Sequence, residues 1–146
     1  MIKTEVHMFG KRMILLPILV TLLSLTGCKE DSVQPGTQIE GLWGARHIIL
    51  VADKAGAVLE YDCAHGTIDQ PMIPDADGHI DLVGTHTWES GGPIQIDQQF
   101  DTQPARYYGS VSGNRLNLSI FLPDEGQVLG PYVLVQDDPG RVFKCL

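Results

Sequence analysis

The sequence predicts an all-β protein, an eight-stranded antiparallel up-and-down barrel behind an export signal. Three observations carry this expectation. Apolar and polar residues alternate with period two along several segments after residue 40, clusters of Gly, Pro, Asp and Asn separate those segments, and no stretch there holds a helical period. The connections are too short for crossovers, so successive strands pair as hairpins, and closing the sheet removes its exposed edges. A small β-sandwich is the alternative arrangement of the same strands.

Ile39 to Ala52 is apolar-rich and reads as the first strand, ended by a turn at Lys54-Ala55-Gly56. Ala57 to Ile68 is the second, with Leu59, Tyr61 and Cys63 alternating with Glu60 and Asp62. Pro71, Pro74 and Asp75-Ala76-Asp77-Gly78 break the chain before the clearest strand, where Ile80, Leu82, Gly84, His86 and Trp88 share one face. Gly91-Gly92 turns the chain into Ile94 to Phe100, and Pro104 bounds the next strand, Ala105 to Val111. After Ser112-Gly113-Asn114, the residues Leu116, Leu118, Ile120 and Leu122 line up on one face. Gln127 to Val135 and Arg141 to Cys145, separated by Asp137-Asp138-Pro139-Gly140, complete the set.

The chain has 146 residues, enough for one core but not comfortably for two. It carries 10 basic against 18 acidic side chains, a net charge of −8, with no basic cluster to meet a phosphate backbone. Nucleic acid is therefore excluded as an expected partner.

Lys11-Arg12 precede a nearly unbroken apolar run from Met13 to Leu25, which closes in Leu25-Thr26-Gly27-Cys28. The run is shorter than the roughly 20 residues a spanning helix needs, and its order is that of a secretory signal. Leu25-Thr26-Gly27-Cys28 resembles the lipobox of bacterial lipoproteins. That resemblance implies that residues 1–27 are a signal peptide cut before Cys28, whose thiol takes a diacylglyceryl group and whose new amino group is acylated, with palmitate as the typical chain. The expected partner is then the membrane, held through an N-terminal lipid anchor. Lys29-Glu30-Asp31 resembles the charged motif that carries some lipoproteins to the cell surface, and Asp is absent directly after Cys28, against inner-membrane retention. The implied location is the cell outer membrane, either surface-exposed or facing the periplasm. Residues 28–38 read as a polar tether and residues 39–146 as the barrel domain. With Cys28 committed to lipid, Cys63 and Cys145 remain as one pair in an oxidising compartment, where a disulfide is expected.

Gly41-Leu42-Trp43 is similar to the Gly-x-Trp of the calycins, the superfamily of lipocalins and avidins. In lipocalins that Trp packs at the closed barrel end under an Arg of the last strand, so the resemblance implies that Trp43 and Arg141 form such a closed end, with the guanidinium over the indole. Strand parity places Leu59, Tyr61, Cys63, His65 and Thr67 inward, with Trp43, Ala45 and His47 from the first strand and His86 and Trp88 from the third. An interior of that kind suits a non-enzymatic binding barrel for a small apolar ligand, walled by Trp43, Tyr61, Trp88 and Tyr107, which requires an enclosed pocket of roughly 300 Å³ or more. Two alternatives stand beside it. One is an interaction or inhibitor module with a filled core, acting on a protein partner through loops such as Pro71 to Gly78 and Gly91 to Thr102. The other is a metal- or haem-binding barrel in which His47, His65 and His86 converge. No cofactor is required by any motif. Asp75-Ala76-Asp77-Gly78 resembles part of a calcium loop, but Ile73 and Gly84 occupy its first and last ligand positions. Gly109-Ser110-Val111-Ser112-Gly113 has Val where a nucleophile elbow needs Ser, so no hydrolase is expected.

Overall fold

A computed structural model describes residues 36–92 and 99–145. The signal, Cys28 and all of the tether before residue 36 lie outside the described residues, as does the expected strand Ile94 to Phe100 apart from Gln99 and Phe100, which are not in a strand. Eight strands follow: β1 (Gly41–Ala45), β2 (Ile48–Ala52), β3 (Ala57–Tyr61), β4 (Ala64–Ile68), β5 (His79–Trp88), β6 (Asp101–Ser112), β7 (Arg115–Leu122) and β8 (Gln127–Gln136). They form one closed antiparallel barrel in chain order, and the sandwich alternative is excluded.

The chain divides into these strands differently from the expectation. Ile39 to Ala52 is a hairpin, turned at Arg46-His47, and Ala57 to Ile68 is another, turned at Asp62-Cys63. His47 and Cys63 take left-handed backbone conformations, with φ of 77° and 57°, which lets each pair of residues reverse the chain. Arg141 to Cys145 is not a strand; its single ladder contact is a parallel bridge between Arg46 and Arg141. Pro104 lies within β6, opposite Thr85, and bounds nothing.

Each new turn resets the inward parity. Tyr61 pairs with Ala64, so Ala64, Gly66 and Ile68 face inward while His65 and Thr67 face out. The interior is built from Trp43, Leu50, Leu59, Tyr61, Tyr107, Leu116, Leu118 and Ile120, each no more than 2% exposed. Full burial of such side chains contributes about 1.5–3 kcal/mol each, and their contact from wall to wall makes the barrel a packed core. At the end where the chain enters, Ile39 and Met72 are buried, joined by Ile39 N–H donating to Met72 O at 2.8 Å, and Trp43 Nε1 donates to Glu40 O at 3.1 Å. This end is the closed one. The other end carries the turns at Arg46-His47, Asp62-Cys63 and 123–126.

The seam between β1 and β8 holds only two residue pairs, Trp43 with Gln136 and Gly44 with Val135. The C-terminal segment after β8 covers it as a strap. Its backbone passes so close to β1 that a Cβ on Gly44 would overlap Asp138 and Gly140, which explains the glycine there. Arg141 N–H donates to Ala45 O at 3.0 Å, His47 N–H donates to Arg141 O at 2.7 Å, and Phe143 N–H donates to the Asp62 carboxylate at 2.8 Å. The strap ends in the disulfide between Cys63 and Cys145, whose Cα atoms are 4.9 Å apart across a separation of 82 residues. Lys144 is clamped by Glu60 and, at 2.9 Å, by Glu89. Those hydrogen bonds outweigh its partial burial and raise its pKa.

Candidate functional site

Inward residues of β3, β5 and β6 meet near the open end of the barrel. Tyr61 Oη lies 3.0 Å from His86 Nδ1 and 3.1 Å from Tyr107 Oη, and Tyr107 O–H donates to Thr85 O at 2.6 Å. Gly66 makes the space: a Cβ there would strike both tyrosine hydroxyls. The His86 ring stacks on Tyr61 at 5.4 Å between centroids and meets the Trp88 ring edge-on at 4.3 Å. Across the mouth, one carboxylate oxygen of Glu125, in the β7–β8 turn, accepts from Trp88 Nε1 at 2.8 Å and from Gln103 Nε2 at 2.6 Å.

The proton positions in this network follow from its end. A carbonyl only accepts, so the Tyr107 proton is committed to Thr85 O. The Tyr61–Tyr107 contact must then be donated by Tyr61, whose single proton is thereby used. Its contact with His86 must be donated by Nδ1–H, leaving Nε2 of the neutral ring as a bare acceptor. His86 is fully buried, and Nε2 has no hydrogen-bond partner among the described residues. Gln103, 8% exposed and paired directly with His86 across β5 and β6, has its Oε1 in the same condition, because its amide nitrogen is fixed on Glu125. A third such atom, Gln136 Oε1, belongs to the β1–β8 seam.

Burial governs the electrostatics here. It raises the Tyr61 pKa far above the ordinary tyrosine value and pushes Tyr107 up to about 12, so both stay protonated. It also lowers His86, against the opposing pull of Glu125, and keeps the imidazole neutral. The hydrogen bonds from Trp88 and Gln103 hold Glu125 below the usual carboxylate range, so it is charged. The cluster is thus an array of acceptors, two of them buried and unmet, beside an indole and a carboxylate.

Tyr61, Trp88 and Tyr107, expected as walls of an apolar void, lie together with His86, expected beside His47 and His65, and the tyrosines and His86 bond to one another. Trp43 packs toward the closed end, away from them. The expected Arg141–Trp43 stacking is not found: Arg141 is exposed, with its guanidinium 4.9 Å from the Phe143 ring centroid, because the strap runs outside the barrel. The three histidines do not converge. His47 sits in a turn, 2.5 Å from the Asp62 carboxylate, and His65 faces outward, 2.9 Å from Glu89, because the two unforeseen turns shift their parity. Cys63 is in the disulfide, not the interior. Among the described residues the one cluster with metal-ligand spacing is Asp75, Asp77 and His79. All three are exposed, and Asp75 is occupied in capping its own turn through the backbone N–H groups of Asp77 and His79. Sequence reading misses Gln103, Glu125 and Gly66. Period-two parity with Ala105 and Tyr107 points to Gln103, a signal interrupted by Pro104, which reads as a strand boundary.

The open clefts described lie on the outer wall: about 320 Å³ beside Val51 and Val58, about 740 Å³ over Asp81, Arg106, Tyr108 and Phe121, and about 510 Å³ against the strap at Arg46 and Arg141. In the largest, the Arg106 guanidinium is already held by both oxygens of Asp81. No protein-family model, curated protein sequence or solved structure matches this chain.

Proposed function

We propose that this chain is a lipid-anchored lipoprotein of the bacterial outer membrane, non-enzymatic, whose solid barrel binds at its open end instead of enclosing a ligand. The observation that carries the binding part is the filled interior, with Trp43, Leu59, Tyr61, Tyr107, Leu116 and Ile120 all buried where a carried apolar molecule would have to sit. The unmet acceptors of His86 and Gln103 favour the open end as the place of recognition. The anchor rests on Leu25-Thr26-Gly27-Cys28 at the close of the apolar run, and a disulfide between the two remaining cysteines agrees with export. An apolar interior with Glu60, His65, Asp81 and Arg106 outside is the reverse of a membrane-spanning barrel, which agrees with attachment through a lipid and not through the strands. Both tyrosine hydroxyls are held protonated, and the one bonded to His86, that of Tyr61, spends its proton on Tyr107, which suits binding, not catalysis.

Metabolic labelling with palmitate tests the anchor. The wild-type chain should take the label and Cys28→Ser should not. A wild-type chain recovered unlabelled, with residues 1–27 attached, refutes it. A fluorescent fatty acid tests the filled core: no saturable binding is expected, and stoichiometric uptake would restore the carrier reading.

A further inference from the structure

The open end also specifies what it binds, if it is the recognition site argued above. Among the described residues, the two buried side-chain atoms it leaves unmet are both acceptors: His86 Nε2 by the proton order of the tyrosine chain, and Gln103 Oε1, whose amide nitrogen is committed to Glu125. Two adjacent buried acceptors select a hydrogen-bond donor, since an acceptor placed against them would leave lone pairs facing one another. Beside them stand a charged carboxylate, Glu125, and the ring of Trp88, both of which attract positive charge. A metal ion fits poorly: one imidazole, one amide oxygen and one exposed carboxylate, which already accepts from Trp88 and Gln103, are a weak ligand set. We propose that the open end of the barrel binds an organic cation that carries N–H donors, of which a primary ammonium is the smallest, through His86 Nε2, Gln103 Oε1 and the Glu125 carboxylate beside Trp88.

The test uses the protein as isolated from membranes in detergent, with the Trp88 indole N–H and the His86 ring nitrogens followed by NMR. Methylammonium should shift both saturably, and tetramethylammonium, which has the charge but no N–H, should bind at least about tenfold more weakly, the value of one charge-assisted hydrogen bond. Glu125→Gln, in an exposed turn where folding is not at stake, should weaken methylammonium by about tenfold. Equal binding of tetramethylammonium overturns the proposal in favour of a bare cation–ring contact, and shifts produced by Zn²⁺ but not by methylammonium overturn it in favour of a metal. Shifts produced by acetamide alone overturn the cationic class while leaving the open end as a binding site. No shift with any of the four overturns both, and identifies the unmet acceptors as places for water only.

Discussion

Tyr107→Phe removes one oxygen from the barrel interior and leaves the ring that fills it. That oxygen donates to Thr85 O at 2.6 Å and accepts from Tyr61 at 3.1 Å. Each buried hydrogen bond between neutral groups contributes about 0.5–1.5 kcal/mol, so the variant should lose about 1–3 kcal/mol. For a barrel of this size, that loss lowers Tm by roughly 5–20 °C. A second consequence is specific to the proton order. Without Tyr107 as acceptor, the Tyr61 hydroxyl can turn its proton onto His86 Nδ1, and the imidazole proton then moves to Nε2. Urea unfolding reads the first effect, and long-range ¹H–¹⁵N correlation of the His86 ring reads the second. The wild-type chain should carry the ring proton on Nδ1 and the variant on Nε2. Finding the proton on Nε2 in the wild type, or a variant within about 0.5 kcal/mol of wild-type stability, would refute the reasoning.

Three further outcomes follow from the same contacts. Gly66→Ala sets a methyl against the hydroxyls of Tyr61 and Tyr107 and should destabilise by about 1–3 kcal/mol in urea unfolding, as overpacking does. His86 is held below its ordinary pKa of about 6.5, so the native state binds fewer protons than the unfolded one. Stability should be complete above about pH 6.5 and should fall as pH drops through the depressed folded value, and the urea midpoint of His86→Phe should show a flatter decline. Replacing both Cys63 and Cys145 with Ser should cost about 2–4 kcal/mol, read from the urea midpoint, because the bond closes most of the domain into one loop and pins the strap over the thin β1–β8 seam.

What the sequence makes legible is the period. Along β5, alternation places Ile80, Leu82, His86 and Trp88 inward, and along β7 it places Leu116, Leu118, Ile120 and Leu122 inward, as the barrel has them. What it hides are the turns at Arg46-His47 and Asp62-Cys63, where no Gly, Pro or Asn-Gly marks the reversal and apolar residues run on either side. One missed turn shifts parity by one residue, which is why His47 and His65 were expected inside and stand outside. Across β4 and β5, His65 pairs with Thr87 and His86 pairs with Gly66, whose missing side chain leaves room for the tyrosine hydroxyls. The strap escapes reading for another reason. Arg141 to Cys145 has the composition of a strand but is held by a disulfide and by Lys144, contacts that no local pattern encodes. Glu125 joins the site from a turn through its hydrogen bonds to Trp88 and Gln103, a long-range juxtaposition invisible to spacing.

The most direct measurement is a high-resolution crystal structure of the chain purified from membranes. Side chains alone should fill the barrel from Ile39 to Tyr61, and a separate density peak should lie within hydrogen-bonding distance of both His86 Nε2 and Gln103 Oε1. Continuous non-protein density along the barrel axis, or an open end in which both atoms are paired with protein groups, would contradict a solid barrel that recognises its ligand at the mouth.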